Sequence, residues 1–104
     1  MSYVMVYITT EKEKESRKLA QKILENKLAA CVNIIPSVES RFLWKGKIRK
    51  EKESVMFVKT KEELVDRLIA RVIKEHSYDI PSIEVIPVTK GNAEYQQWID
   101  DSLK

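Results

Sequence analysis

Residues 3–9, YVMVYIT, are a run of β-branched and aromatic side chains that gives way to polar residues, the pattern of a first strand. Thr10 and Glu13 follow at capping-box spacing, in which a hydroxyl and a carboxylate satisfy the first free amides of a helix, so a helix is expected from about residue 11. Within it Leu19, Ala20, Ile23, Leu24 and Leu28 recur at helical spacing with Lys and Glu opposite, and the helix is expected to end near Lys27. From Cys31 to Trp44 the residues turn β-branched and aromatic again. Gly46 in WKGKI supplies the permissive backbone of a hairpin, and a second strand is predicted over roughly 48–60. Pro36 has no amide hydrogen for a ladder and is expected at a bulge or on an edge. Thr60 and Glu63 repeat the capping box, and Leu64, Val65, Leu68, Ile69, Val72 and Ile73 follow at strict helical spacing. HSYDIPS breaks that helix, IEVIPVT at 83–89 reads as a last strand, and Gly91-Asn92 opens a short terminal helix carrying Tyr95, Trp98 and Ile99.

The order is strand, helix, strand, strand, helix, strand, with an appended helix. This predicts an α+β class, a ferredoxin-like βαββαβ unit with an antiparallel sheet, as a single domain over residues 1–104. Both connecting helices of that fold pack on one sheet face, and a monomer needs the other face polar. Here the strands are apolar on both sides: Tyr3, Met5 and Tyr7 oppose Val4, Val6 and Ile8, Val55 and Phe57 oppose Met56 and Val58, and Ile83 and Val85 oppose Ile86 and Val88. Each such side chain gains about 1.5–3 kcal/mol on burial, so something is expected to cover the second face. The terminal helix covers part of it at most, and self-association is the expectation for the rest.

Composition narrows the classes. A hydrophobic content of 43% with two glycines and three prolines in 104 residues suits one packed core. The lone cysteine cannot close an intramolecular disulfide. MSYVMVYITT shows neither a basic leader nor a cleavage site, and no run approaches membrane-spanning length, so a cytoplasmic protein without membrane contact is expected. The 19 Lys and Arg against 16 Asp and Glu leave a net charge of +3, and the mixed-sign run EKEKESRK reads as a solvated helix face, not a nucleic-acid footprint. Charged residues at 34%, mostly Lys and Glu, are the bias of proteins that work hot, which makes a high melting temperature an expectation. SVMFVKT lacks the aromatic and glycine pattern of an RNA-recognition strand, no Cys-x-x-Cys is present to grip copper(I), and no Gly-rich loop, HExxH or GxSxG offers hydrolytic machinery. No enzyme activity is therefore expected.

Three segments, NKLAACVNIIPSVESRFLWKGKI, ESVMFVKT and HSYDIPSIEVIPVTKGNAEYQQWI, together resemble the signature of the CutA family of divalent-cation tolerance proteins, almost end to end. The words LAACVNI, WKGKI, KT and GNxxYxxWI carry the resemblance through their order and spacing. It implies a ferredoxin-like subunit assembled as a PII-like homotrimer through its sheets, and a link to tolerance of copper and other divalent metals. Members for which copper ligation is proposed are similar here at His76. Their second histidine is Glu75 in this chain, their first-strand cysteine is Ile8, and their usual His-Pro-Tyr is His76-Ser77-Tyr78.

The metal candidates are thus His76, Glu75 and Cys31. Cys31 follows Ala29-Ala30 at a strand start, where the favoured reading is a small core hydrophobe, its thiol made inert by burial. His76 ends the second predicted helix, where a ligand and a structural cap favoured by the helix dipole both remain open. Glu53, Lys59 and Tyr78 are expected to line an intersubunit cleft nearby, with Asp79 as a further oxygen donor. Trp44, Tyr95 and Trp98 read as interface anchors in preference to ligand-stacking groups. Copper(II) or another divalent cation is the expected ligand, with no metal required for folding. The alternative is a signalling trimer whose cleft takes a small anionic ligand or docks a partner protein.

Overall fold

A computed structural model of the chain describes residues 2–104. Four strands, β1 (Tyr3–Thr10), β2 (Cys31–Trp44), β3 (Lys47–Lys61) and β4 (Ile83–Val88), alternate with three helices, α1 (Glu13–Glu25), α2 (Val65–Glu75) and α3 (Ala93–Ser102). The strands form one antiparallel sheet in the order β2-β3-β1-β4, as the ferredoxin-like βαββαβ pattern requires.

One sheet face makes the core. Val4, Val6 and Ile8 of β1 and Met56 and Val58 of β3 pack with Leu19, Ala20 and Ile23 of α1 and Leu68 and Val72 of α2. Burial of these side chains is the main term holding both helices on the sheet. The other face is apolar and incompletely covered. The register sets Met5 beside Ile86 and Tyr7 beside Phe57, whose rings meet edge-on with centroids 5.5 Å apart. Ile35 and Ile86 remain 42% and 44% exposed there. Of the helices, α3 reaches this side: Tyr3 Oη donates to Asp100 Oδ2 at 2.7 Å, and Lys61 Nζ lies 3.5 Å from Asp100 Oδ1.

β2 and β3 continue past the last residue of β1, pairing from Val38 opposite Glu53 out to Trp44 opposite Lys47. This two-stranded arm turns through Lys45 and Gly46, both at positive φ, which Gly46 adopts at +78° without strain. At its root the register slips between Ile35 and Val38, so Pro36 sits in a bulge of an outer strand, as its missing amide demands. Pro87 lies in β4, the other outer strand.

Neither predicted capping box forms. Lys12 caps α1 and Leu64 caps α2, each without a side-chain bond, and a 3-10 turn at Glu62–Leu64 precedes α2. Thr10 and Thr60 are instead fully buried. The Thr10 hydroxyl reaches the Lys12 carbonyl at 2.9 Å and Ser16 Oγ at 2.8 Å, Ser16 donates to Ser54 at 2.9 Å, and Ser54 reaches the Ile35 carbonyl at 3.3 Å. Thr60 Oγ1 donates to the Leu28 carbonyl at 2.7 Å. Burial of a hydroxyl is costly unless it is hydrogen-bonded, and these buried partners take the hydroxyls away from the helix amides. At the start of α3, which Gly91-Asn92 was expected to open, Asn92 is the N-cap, its Oδ1 accepting from the Glu94 amide at 2.9 Å.

Candidate functional site

α2 stops at Glu75 because His76 turns to an extended backbone, φ −74° and ψ 144°, while its amide still bonds the Val72 carbonyl at 2.9 Å. The His76 side chain is fully enclosed. Its Nε2 lies 2.7 Å from the Thr9 carbonyl and its Nδ1 accepts the Tyr78 amide at 3.0 Å. A carbonyl only accepts and an amide only donates, so this pair fixes the neutral tautomer with the proton on Nε2. Glu15 holds the next residue: its two carboxylate oxygens accept the Ser77 amide at 2.8 Å and the Ser77 hydroxyl at 2.9 Å, and Oε2 lies 3.7 Å from His76 Nδ1. The amide bond is one that proline at 77 could not make.

His76 thereby sets the direction of Tyr78, whose ring lies 4.9 Å from the imidazole and whose hydroxyl donates to Glu53 Oε2 at 2.9 Å. Burial raises the Tyr78 phenol well above its ordinary value, and the Glu53 hydrogen bond and the charges of Glu53, Glu11 and Glu15 act in the same direction. Tyr78 is therefore a neutral donor. Beside this pair opens a cleft of about 780 Å³ between the hairpin arm, the end of β1 and the 78–82 segment. Glu53, Tyr78 and Asp79 line it with Tyr7, Trp44 and Glu11. Tyr7 and Glu11 carry no motif of their own. Strand register and the overhang of the arm bring them in, and the only sequence signal was Tyr7's place on the apolar second face.

The other predicted residues fall elsewhere. Cys31 is half-buried on the open sheet face, opposite Lys59, and not in the core. Thr9, which His76 bonds, is registered with Val55, so the thiol and the imidazole stand at different ends of the sheet. Glu75 is engaged by Lys22 at 2.9 Å and by Arg71 at 3.8 Å. The Lys22 hydrogen bond is the largest influence holding its carboxyl below the usual range. His76, Glu75 and Cys31 thus do not converge, and both His76 nitrogens are already bonded. Among the described residues no group of three His, Cys, Asp or Glu side chains is placed to hold a metal ion. The described residues alone do not fit a divalent ion, which needs several donors at bonding distance. Lys59 shares a face with Glu53 but lies outside the cleft, with Nζ 5.4 Å from the centre of the Tyr95 ring. Trp44 belongs to the cleft wall, while Tyr95 and Trp98 stack on α3 with centroids 5.5 Å apart; all three are exposed in the single chain.

Residues 4–102 match the family model described as CutA1 divalent ion tolerance protein. The divalent-cation tolerance protein CutA of Archaeoglobus fulgidus is 41% identical over 99 residues, covering 95% of this chain and 96% of that one. The chloroplastic protein CutA 1 of Oryza sativa is 38% identical over 101 residues, 97% of this chain but 57% of the relative, so the chain spans little more than half the length of some relatives it matches. Among solved structures, CutA1 from Oryza sativa superposes with a TM-score of 0.96 at 36% identity, covering all of this chain and 95% of that one.

Proposed function

The chain belongs to the CutA1 divalent ion tolerance protein family, and from that premise we propose that it acts in divalent-cation tolerance as a cytoplasmic, PII-like homotrimer with a ligand cleft beside His76. The observation that carries this reading is the second sheet face. It presents Met5, Tyr7, Phe57, Ile35 and Ile86 with one short helix to shield them, and Trp98 of that helix is itself 46% exposed. Covering such side chains stabilises an assembly by about 1.5–3 kcal/mol each, and joining copies through sheet faces is the economical way to do it. Trp44, Tyr95 and Trp98 are the anchors of that contact.

Copper(II) or another divalent cation bound near His76 would need donors from a neighbouring subunit, because the described residues of one chain supply no set of three. The reading as a receptor for a small anion draws no support from the lining, in which Glu11, Glu51, Glu53 and Asp79 outnumber Arg49 and Lys52. Native mass spectrometry of metal-free protein during a copper(II) titration tests the proposal. A trimer taking up one or three ions supports assembly and ligation together. A bare trimer removes the metal and keeps the assembly, and a monomer overturns the reading of the open face.

A further inference from the structure

Of the three helices, α3 is held in a different way. Its one buried side chain is Ile99, and among the described residues it contributes nothing to the continuous core that α1 and α2 share with the sheet. Tyr95 and Trp98 stay exposed, as does the segment 89–92 that leads into the helix. A helix of ten residues is marginal alone in water, so contacts with the sheet must hold it. They centre on Asp100, which accepts the Tyr3 hydroxyl at 2.7 Å through Oδ2 and faces the Lys61 ammonium at 3.5 Å through Oδ1. Lys59, 5.4 Å from the centre of the Tyr95 ring, adds to them, and past the end of α3 Lys27 donates to the Lys104 carbonyl at 2.9 Å.

The Asp100 clasp is incompletely satisfied. Its Oδ1 is enclosed yet accepts no hydrogen bond among the described residues, because the 3.5 Å to Lys61 exceeds the usual reach of about 2.7–3.2 Å. The Lys61 side chain is only 11% exposed, so this ammonium too has given up most of its water. A shielded ion pair is stabilising only when its remaining donors and acceptors are met. Asp100 also stands at the negative end of the helix dipole, in a last turn without a basic residue. Docking of α3 thus sets the gain from Ile99 against a poorly met charge, and undocking returns that charge to water. From this balance we infer that α3 is a strap, fastened through Asp100 to Tyr3 and Lys61, that opens as a unit while the sheet, α1 and α2 stay folded. Opening carries Tyr95 and Trp98 off the sheet face, so a copy packed there fastens the strap and an open strap loosens the copy. This last step rests on the assembly reading, whereas the opening itself needs one chain alone.

Hydrogen exchange of the full chain, resolved to single amides by NMR and paired with native mass spectrometry of the same sample, tests the inference. The amides of Gln96 to Leu103, bonded within α3, should share one opening constant about tenfold or more above that of α1 and α2. Val72→Ala, in the core of α2, should speed exchange in α1 and α2 about tenfold and leave α3 within about twofold, because the strap opens without unfolding them. Lys61→Met, which leaves α3 itself unaltered, should raise the α3 opening constant about tenfold, and adding Asp100→Leu should return it to the original value or below. In the assembled protein Lys61→Met should also raise dissociation on dilution about tenfold. A gradient of exchange rising toward Leu103 overturns the inference, by showing simple fraying. Equal exchange in all three helices, an α3 that follows Val72→Ala, or an α3 indifferent to Lys61→Met overturns it too. Unchanged dissociation of assembled Lys61→Met overturns the link between strap and assembly while the assembly stands. A monomer in the mass spectrum defeats the assembly reading alone, since exchange in that monomer still decides whether α3 opens as a strap.

Discussion

Replacing His76 by Ala separates a structural from a ligating role. The substitution removes a fully enclosed imidazole and both of its bonds, the 2.7 Å contact with the Thr9 carbonyl and the 3.0 Å contact from the Tyr78 amide. The buried Thr9 carbonyl loses its imidazole partner, at about 1–3 kcal/mol, and the part-buried Tyr78 amide loses a net contribution of roughly 0.5–1.5 kcal/mol. The void left by the ring adds to this, so a loss of about 2–4 kcal/mol is expected. Urea unfolding followed by circular dichroism at fixed chain concentration reads the loss directly, the concentration being held because the proposed assembly would add to apparent stability. Glu62→Ala on the surface serves as the control. Unchanged stability in His76→Ala combined with loss of copper(II) binding would refute the reasoning, because it would make the imidazole a ligand with little part in the fold.

Other expectations follow from the same geometry. The Tyr78 phenol is raised above its ordinary value of 10.0, so the unfolded chain releases this proton first and stability should fall as pH rises above 10. Tyr78→Phe should flatten part of that alkaline decline, and Tyr3→Phe must be measured alongside, because hydrogen bonding to Asp100 raises Tyr3 too. The depressed Glu75 carboxyl, held chiefly by Lys22, contributes stability that is present above 4.5 and is lost as pH falls; Glu75→Gln should remove that part of the acid-side slope in a pH series of melts. Ser16→Ala should cost about 1–3 kcal/mol in urea unfolding by breaking the buried hydroxyl chain, while Glu13→Ala, which a capping box would make costly, should change stability by less than about 0.5 kcal/mol. Gly46→Ala forces a side chain into a left-handed turn at φ +78° with nothing nearby to clash, and about 1–2 kcal/mol of destabilisation is expected from strain alone.

The elements that sequence periodicity identifies are those whose signal is local. Leu19, Ala20 and Ile23 face the core as their spacing requires, the two-sided apolar pattern of β1 and β3 reappears as a covered and an open sheet face, and Pro36 marks a bulge because its missing amide allows little else. The failures share one cause. Thr10 and Thr60 have the right neighbours for capping, yet Thr60 bonds the distant Leu28 carbonyl, and Thr10 bonds the Lys12 carbonyl and Ser16, which is itself tied to Ser54 of β3. Tyr7, Glu11, Tyr78 and Trp44 meet only because β1 pairs with β3 in one register and the arm overshoots it, a juxtaposition absent from any local pattern. Cys31 looked like a core residue beside two alanines, but the alternation of β2 turns it to the open face opposite Lys59.

The two prolines of the sheet sit in its two outer strands, Pro36 in β2 and Pro87 in β4. An outermost strand offers a row of unmatched amides and carbonyls on which a foreign strand can grow, and a continuous row is the seed of fibrils. Each proline deletes one donor, and the kink at Pro36 breaks the straight run of the rest. A chain that shows so much greasy surface on its sheet face thereby has each margin of the sheet interrupted against the addition of a foreign strand.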